Sequence, residues 1–388
     1  MINILILNVS LFDGMAPSKR VFNLLEPLVD PKLIEIYNLI YSVDSKFKHG
    51  ESGMINNINF FNIKFKFVNL FSFFYLGFKY LHTVNRFKNS NRILYNYGYL
   101  DLKNILFVLY ARILGFKIVI DIVEDNKYHT WHNGILGYFR IKSSLLFVKL
   151  IPFITHAIIV ISSQLEKKFS YLKQNKKICI IPITVSMEKF PKNVIINDFK
   201  HKINLFYGGS FGEKDGVTYL LQAFEILADE FPKLNLILTG KPHNKEANDW
   251  LNSVLKKSKN SDRIFYYGML SIDTYYSILN SCDIFCMTRN NSQFANSGFP
   301  FKLGEYLATG KGVVASNVGD VSSYLTNNFD SILVQPESIP EIVNAISFLI
   351  SNPEKIKILG ENARNTAINN FSSIKLSKKF YNFLNELI

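Results

Sequence analysis

Two stretches constrain this chain more than any others. Near the start, the apolar run "INILIL" (2–7) leads through a loop around Gly14 into a helical pattern from about Ser18, a residue suited to an N-cap. Further on, "INLFY" (203–207) leads through a glycine-rich loop into a helix with Leu220, Leu221, Phe224 and Leu227 on one face. Strand, glycine loop, helix is thus repeated, in pattern and not in sequence. The runs "RILYNY" (92–97), "KIVIDIVE" (117–124) and "HAIIVIS" (156–162) follow the first opening. The runs "LNLILTG" (234–240), "RIFYYG" (263–268), "DIFCM" (283–287), "GVVAS" (312–316) and "SILVQ" (331–335) follow the second. Helical stretches separate them, for example "LKNILFVLYARILG" (102–115), which closes on a glycine. Strands alternating with helices predict an α/β class, with a parallel sheet covered on both faces in each half.

A chain of 388 residues is too long for one compact core, which agrees with two domains. "IPITVSMEKFPKNVIINDFKHK" (181–202) breaks the periodicity, carries two prolines and reads as the linker. The predicted division is 1–183, 184–373, and a last helix over 374–388 that can pack back on the first domain. Two doubly wound domains facing each other would hold a ligand in the cleft at the carboxyl ends of both sheets.

Composition narrows the chemistry little. Hydrophobic residues make up 48 % and the formal charge is +13, which suits a phosphate-bearing ligand or an anionic surface. The wealth of Lys, Asn, Ile, Phe and Tyr is equally what an AT-rich genome produces. Cys179, Cys282 and Cys286 offer neither a disulfide framework nor a paired metal spacing, which fits a reducing cytoplasm. "MINILILNVS" has no cationic segment before its apolar run, so it reads as a buried strand and not as a secretory signal. "VNLFSFFYLGF" (68–78), flanked by Lys66 and Lys79, is too short to span a bilayer. The surrounding segment 59–88 is dense in Phe, Tyr and Lys. Core packing explains it, and so does docking on an anionic leaflet at the inner face of a plasma membrane.

Two segments carry chemistry. In "YGGSFGEKDGVTYLLQAFEIL" (207–227), glycines between strand and helix let backbone N–H groups approach a phosphate, and Lys214 can add charge; an ordinary turn with a solvated lysine is the alternative. In "GFPFKLGEYLATGKGVVASNVGD" (298–320), a helix from about Pro300 puts Leu303, Tyr306 and Leu307 on its core face and ends at Gly310. Lys302 falls in the first turn, at the positive end of the helix dipole, where a cation is disfavoured by roughly 0.3–1 kcal/mol. Either an anion binds there, or Lys302 is exposed and pairs with Glu305 three residues on.

"SGFPFKLGEYLATGKGVVASNVGD" resembles the signature of the retaining GT-B glycosyltransferases of family 4, the glycosyl transferases group 1, of the bacterial surface-polysaccharide type. "YGGSFGEKDGVTYLLQAFEIL", "IPITVSMEKF" and "SIDTYYSILNSCDIFCM" are similar to further segments of that family. The resemblance implies two Rossmann-like domains facing across a cleft, and transfer of a sugar from a nucleoside diphosphate sugar to a glycan or lipid-linked acceptor, with retention at the anomeric carbon. It implies that Glu305 receives the donor's ribose hydroxyls, as a carboxylate can accept two hydrogen bonds from a vicinal diol. Gly298, Phe299, Pro300 and Leu303 would line the donor site around the helix start, with Gly209 and Ser210 in the glycine loop. Gly14 would point into the cleft from the first domain.

The departures are informative. The family's first glutamate, eight positions before Glu305, falls on Ser297. The usual Arg and Lys of the glycine loop fall on Ser210 and Asp215. Lys214, Lys302 and Arg289 are then the candidate cations for the diphosphate. The family often places a functional histidine in the loop after a first-domain strand, and here His129 and His132 are both candidates, with Glu124 a candidate acceptor contact. No Asp-x-Asp occurs, and the resemblance implies no metal and no cofactor beyond the nucleotide-sugar substrate. Nucleic acid is not an expected partner. A UDP-sugar 2-epimerase of the same fold and a catalytically silent nucleotide-sugar-binding relative remain as rivals.

Overall fold

Every apolar run read above as a strand contains one, and further strands join them in two sheets. The computed structural model describes all residues except 1, 30–33, 42–45, 66–69, 86–90, 129–133, 190–198, 200 and 243. Two compact units result: Met1–Thr184 with Ser373–Ile388, and Val185–Ser372.

The first unit holds β1 (Ile2–Leu7), α1 (Ala16–Leu25), β2 (Ile34–Ile40), β3 (Ser52–Ile55), β4 (Ile58–Asn62), α2 (Leu70–Asn85), β5 (Asn91–Tyr97) and α3 (Ile105–Ile113). It continues with β6 (Lys117–Ile122), α4 (Gly134–Phe147), α5 (Ile151–Ile154), β7 (Ala157–Val160), α6 (Ser163–Lys168) and β8 (Lys177–Ile180). The sheet order is β3-β4-β2-β1-β5-β6-β7-β8. All neighbours pair in parallel except β3 and β4, so the sheet is mixed and not purely parallel. Asn56 and Asn57, both at positive φ (50° and 59°), make the two-residue turn that this hairpin needs. The helix predicted from Ser18 starts earlier. Met15 is its N-cap, Pro17 sits in the first turn, and Ser18 is buried inside the helix.

Asp121 lies within β6, fully buried, where the Arg20 guanidinium of α1 grips both its oxygens at 2.9 and 3.0 Å. The Tyr95 hydroxyl donates to the same carboxylate, and Arg20 also donates to the Pro182 and Ile181 carbonyls. This buried ion pair is fully satisfied, the condition under which such a pair is tolerated.

The second unit holds β9 (Ile203–Gly208), α7 (Val217–Glu230), β10 (Leu234–Thr239), α8 (Lys245–Lys257), β11 (Ile264–Tyr266), α9 (Ile272–Ser281) and β12 (Ile284–Met287). Then come α10 (Gln293–Ser297), α11 (Phe301–Ala308), β13 (Gly312–Ser316), α12 (Val321–Tyr324), β14 (Ile332–Val334), α13 (Ile339–Ser351) and α14 (Pro353–Asn370). Its six described strands run β11-β10-β9-β12-β13-β14, all parallel. In sequence terms this is the 3-2-1-4-5-6 order, which reverses direction between β9 and β12. The α7 face of Leu220, Leu221, Phe224 and Leu227 is buried against Leu205, Leu236 and Leu238. Each such side chain contributes roughly 1.5–3 kcal/mol when withdrawn from water.

The last helix, α15 (Ser373–Asn385), belongs to the first unit. The Ser377 hydroxyl contacts the Asn23 and Leu24 carbonyls of α1, at 3.2 and 2.8 Å, and the Phe380 ring meets Tyr95 edge-on at 5.8 Å. Among the described residues no helix is long and apolar enough to cross a membrane.

Candidate functional site

In a sheet of this order, ligands bind outside the carboxyl ends of the two strands at the reversal. Those ends carry the loop after β9 (Gly208–Gly216) and the loop after β12 (Thr288–Ser292). Two contacts lace the loops together: Thr288 Oγ1 donates to the Gly216 carbonyl (3.1 Å), and the Asn290 N–H to the Lys214 carbonyl (3.2 Å). Gly216 has φ +62°, and a Cβ there would lie 1.9 Å from the Thr288 carbonyl oxygen, so only glycine lets the loops close up. Tyr306 of α11 reaches the same place, its hydroxyl accepting from the Gly208 N–H at 2.8 Å.

Lys302 does not pair with Glu305. Its ammonium lies 3.3 Å from Asp215 Oδ1 and 4.0 Å from the centre of the Tyr207 ring. Helical spacing puts Glu305 on the same side of α11, but the helix packs with that side against the glycine loop, so a residue 87 positions away wins the lysine. The Lys302 and Asp215 side chains are only 12 % and 5 % exposed. Ser210, the other residue where a cation is usual, donates its hydroxyl to Asp215 Oδ2 at 2.8 Å. A Cβ on Gly209 would lie 2.7 Å from the Lys302 ammonium and from the Tyr207 hydroxyl, so the bare backbone at 209 makes room for the lysine head.

Three cations converge here. Arg289 is buried and donates to the Ala295 carbonyl at 3.3 Å, and Lys214 lies over the Phe294 ring at 4.1 Å. Burial alone would push the Asp215 carboxyl up; the Lys302, Arg289 and Lys214 charges outweigh it and hold the group below the usual carboxylate range. Burial lowers Lys302 to about 8, against the upward pull of Asp215 and with a further downward push from Arg289. The ammonium is thus charged at neutral pH and loses its proton about one unit above it.

One turn along α11, the Glu305 carboxylate is held by two hydroxyls. Tyr275 donates to Oε2 at 2.7 Å and Tyr276 to Oε1 at 3.4 Å. The two hydroxyls fix the orientation of the carboxylate. Tyr207, Tyr275 and Tyr276 escaped the sequence reading. The paired tyrosines of "SIDTYYSILN" are the available signal, but among 20 tyrosines they do not stand out.

The remaining predicted residues lie as follows. Gly298, Phe299 and Pro300 are buried on the approach to α11, and Pro300 is its N-cap. The Phe299 ring packs on Tyr324 (5.3 Å) and Phe371 (5.7 Å), which leaves its backbone as the part able to meet a ligand. Leu303 is core. Ser297 is buried at the end of α10, its hydroxyl donating to the Phe294 carbonyl at 3.2 Å. In the first unit, Gly14 (φ +71°) lies in the loop after β1, and Glu124 is half-buried just beyond β6. His129 and His132 lie outside the described residues.

With this geometry in view, the relatives of the chain can be compared. Residues 188–366 match the family described as "Glycosyl transferases group 1". An uncharacterized glycosyltransferase of Methanocaldococcus jannaschii is 24% identical over 316 residues, covering 70% of this chain and 77% of that one. The lipopolysaccharide 1,2-N-acetylglucosaminetransferase of Salmonella typhimurium is 23% identical, covering 69% and 75%. Two further curated relatives are matched over about half of their own length. The Anabaena HepE protein, solved with UDP and glucose, superposes with a TM-score of 0.75 at 15% identity, over 98% of this chain and 99% of that one. The fold is that of the GT-B glycosyltransferases, two Rossmann-like units in one chain.

Proposed function

We propose that the chain, whose residues 188–366 match the family described as glycosyl transferases group 1, transfers a sugar from a nucleoside diphosphate sugar to a glycan or lipid-linked glycan. The observation that carries this is the convergence of Lys302, Arg289 and Lys214 on the β9/β12 reversal, one helical turn from an oriented carboxylate. The cations suit a diphosphate and Glu305 suits the ribose diol. Cations held in place before the reaction stabilise the charge that grows on the departing diphosphate. The transfer proceeds with retention, the leaving phosphate oxygen taking the acceptor's proton, so no base is required on the far face of the sugar. No metal takes part in this reading. UDP is the first donor nucleotide to try, since the Anabaena neighbour was solved with it. The acceptor class follows the Salmonella relative, which acts on lipopolysaccharide.

The usual cationic pair of the glycine loop has become Ser210 and Asp215, and the lysine has moved to α11. That exchange is internally consistent, because the new acid and the new lysine touch. The presence of an acid among the cations also favours a second reading, a nucleotide-sugar binder without turnover. Incubation with UDP-, GDP- and TDP-sugars, with released nucleotide as readout, separates the two. Slow donor hydrolysis, lost in Lys302→Ala, supports the transferase. Binding without release, even with candidate acceptors, supports the silent relative. Reversible epimer formation would point to a 2-epimerase. Full donor binding and turnover in Lys302→Ala would end the role given to that lysine.

A further inference from the structure

Helices α2 to α5 form one layer on the first sheet. α2 returns from β4 to β5, α3 joins β5 to β6, and α4 with α5 joins β6 to β7. Right-handed crossovers advancing in one direction set all of them on the same side. Contacts agree: the α2 rings of Phe74 and Phe78 meet Phe107 of α3 at 5.6 and 5.4 Å, and Arg112 of α3 donates to the Ile154 carbonyl of α5 at 2.7 Å.

The inward side of α3 is buried, through Ile105, Phe107, Val108 and Ala111. Its outward side is apolar as well. Leu106, Leu109 and Ile113 of α3, with Leu102 just before the helix, are all exposed, Ile113 by 81%. A helix over a core ordinarily turns a polar face to water, and a contiguous apolar patch marks an interaction surface. The neighbouring helices continue it. Along α4 and α5, Phe139, Lys142, Leu146, Lys149 and Phe153 are exposed, the last by 73%. On α2, Phe71 is 85% exposed and Tyr75 and Lys79 follow on the same side. The sequences of α2, α3, α4 and α5 contain no Asp or Glu, while Lys79, Arg112, Arg140 and Lys142 supply positive charge.

We propose that this face docks the protein on an anionic lipid bilayer. Leucine and aromatic side chains would enter the headgroup boundary, and the interleaved lysines would keep their heads at the phosphates while their stems lie along the apolar surface. An apolar stripe alone would suit a protein partner or a second copy of the chain. The complete lack of carboxylates over four successive helices, with cations among the apolar groups, selects a surface that is uniformly negative. The contact is peripheral in kind, as none of these helices is long and apolar enough to span a bilayer. It stands apart from the donor chemistry and would hold for a chain that transferred no sugar.

The test is flotation of the full chain with vesicles of phosphatidylcholine, with and without phosphatidylglycerol, at low and high salt. The expected result is association with the anionic vesicles only, weakened by salt. Ile113→Glu combined with Phe153→Glu should lower partitioning more than tenfold. Lys142→Glu combined with Lys149→Glu should lower it by about fivefold or more per reversed cation. Ile358→Glu, at an exposed apolar position in the second unit, should leave it unchanged. Thermal melting of each variant checks that folding is retained. No association with anionic vesicles at low salt overturns the proposal. So does equal flotation with phosphatidylcholine alone, or a dimer that Ile113→Glu disperses while vesicles bind neither form.

Discussion

The most demanding prediction concerns Asp215→Asn, which keeps the shape of the side chain and removes its charge. Asparagine can still accept from Ser210, so what is lost is the counter-ion of Lys302, 3.3 Å away. At that distance and an effective dielectric of about 20, the attraction is about 5 kcal/mol. Breaking a buried pair from one side ordinarily costs about 3–5 kcal/mol. The lysine has an escape, however. Its ammonium already titrates at about 8, and shedding the proton at pH 7 costs only about 1.4 kcal/mol per unit of difference. The destabilisation at pH 7 therefore falls between about 1 and 5 kcal/mol, or about 2–4 °C of midpoint per kcal/mol for a unit of this size. Without the carboxylate, folded Lys302 deprotonates at a lower pH while the unfolded chain still holds the proton. The folded variant then binds fewer protons than the unfolded one, so its stability climbs with pH and its deficit against the parent shrinks towards pH 8. Meanwhile one anion fewer stands among Lys302, Arg289 and Lys214. Nucleoside diphosphate binding should tighten roughly tenfold or more, with a larger gain at pH 6 than at pH 8, since charge-assisted contacts contribute about 1.5–3 kcal/mol. Thermal unfolding from pH 6 to 9 and titration calorimetry with UDP and GDP measure both effects. An unchanged midpoint at pH 7, or weaker nucleotide binding, would refute the reasoning.

Three further outcomes are expected. The donor KM should rise as pH passes about 8 and Lys302 loses its charge, and Lys302→Arg, which stays protonated, should remove that rise. Glu305→Gln should lower donor kcat/KM by roughly 10- to 100-fold and abolish discrimination between ribose and 2′-deoxyribose donors, because a neutral amide is a weaker acceptor for the diol; retained discrimination would remove Glu305 from the ribose site. Asp121→Asn should destabilise the first unit by about 3–5 kcal/mol, since Arg20 is fully buried against that carboxylate; a calorimetric transition that does not move would show the pair to be dispensable.

The alternation of strands and helices was legible because each element buries its own local apolar stripe, as in α7 and in the core face of α11. What local patterns cannot report is contact between distant segments. Spacing on α11 offered Glu305 as the partner of Lys302, and only the fold shows Asp215 taking it. The hairpin β3–β4 gives a weak sequence signal, two asparagines at positive φ in place of an Asn-Gly or Asp-Gly pair. In β2, Asn38 interrupts the apolar run and hides the strand from a local pattern, although the side chain is buried, donating to the Val9 carbonyl (2.9 Å) and accepting from the Leu11 N–H (3.1 Å). Ser18 suggested a cap by residue type, while the proline one position earlier sets the start of the helix.

The place of α15 has a consequence for the order in which the chain can be built. Helix α1 and strand β5 leave the ribosome before the second unit, but the partners of Leu24 and Tyr95, namely Ser377 and Phe380, are made only after it. The intervening second unit, of roughly 190 residues, must first be synthesised, which takes on the order of 10–40 s at ordinary translation speeds. The first unit is therefore begun before the second and completed after it. During that interval an apolar surface waits uncovered, and chaperone demand should concentrate on the first unit and not on the second.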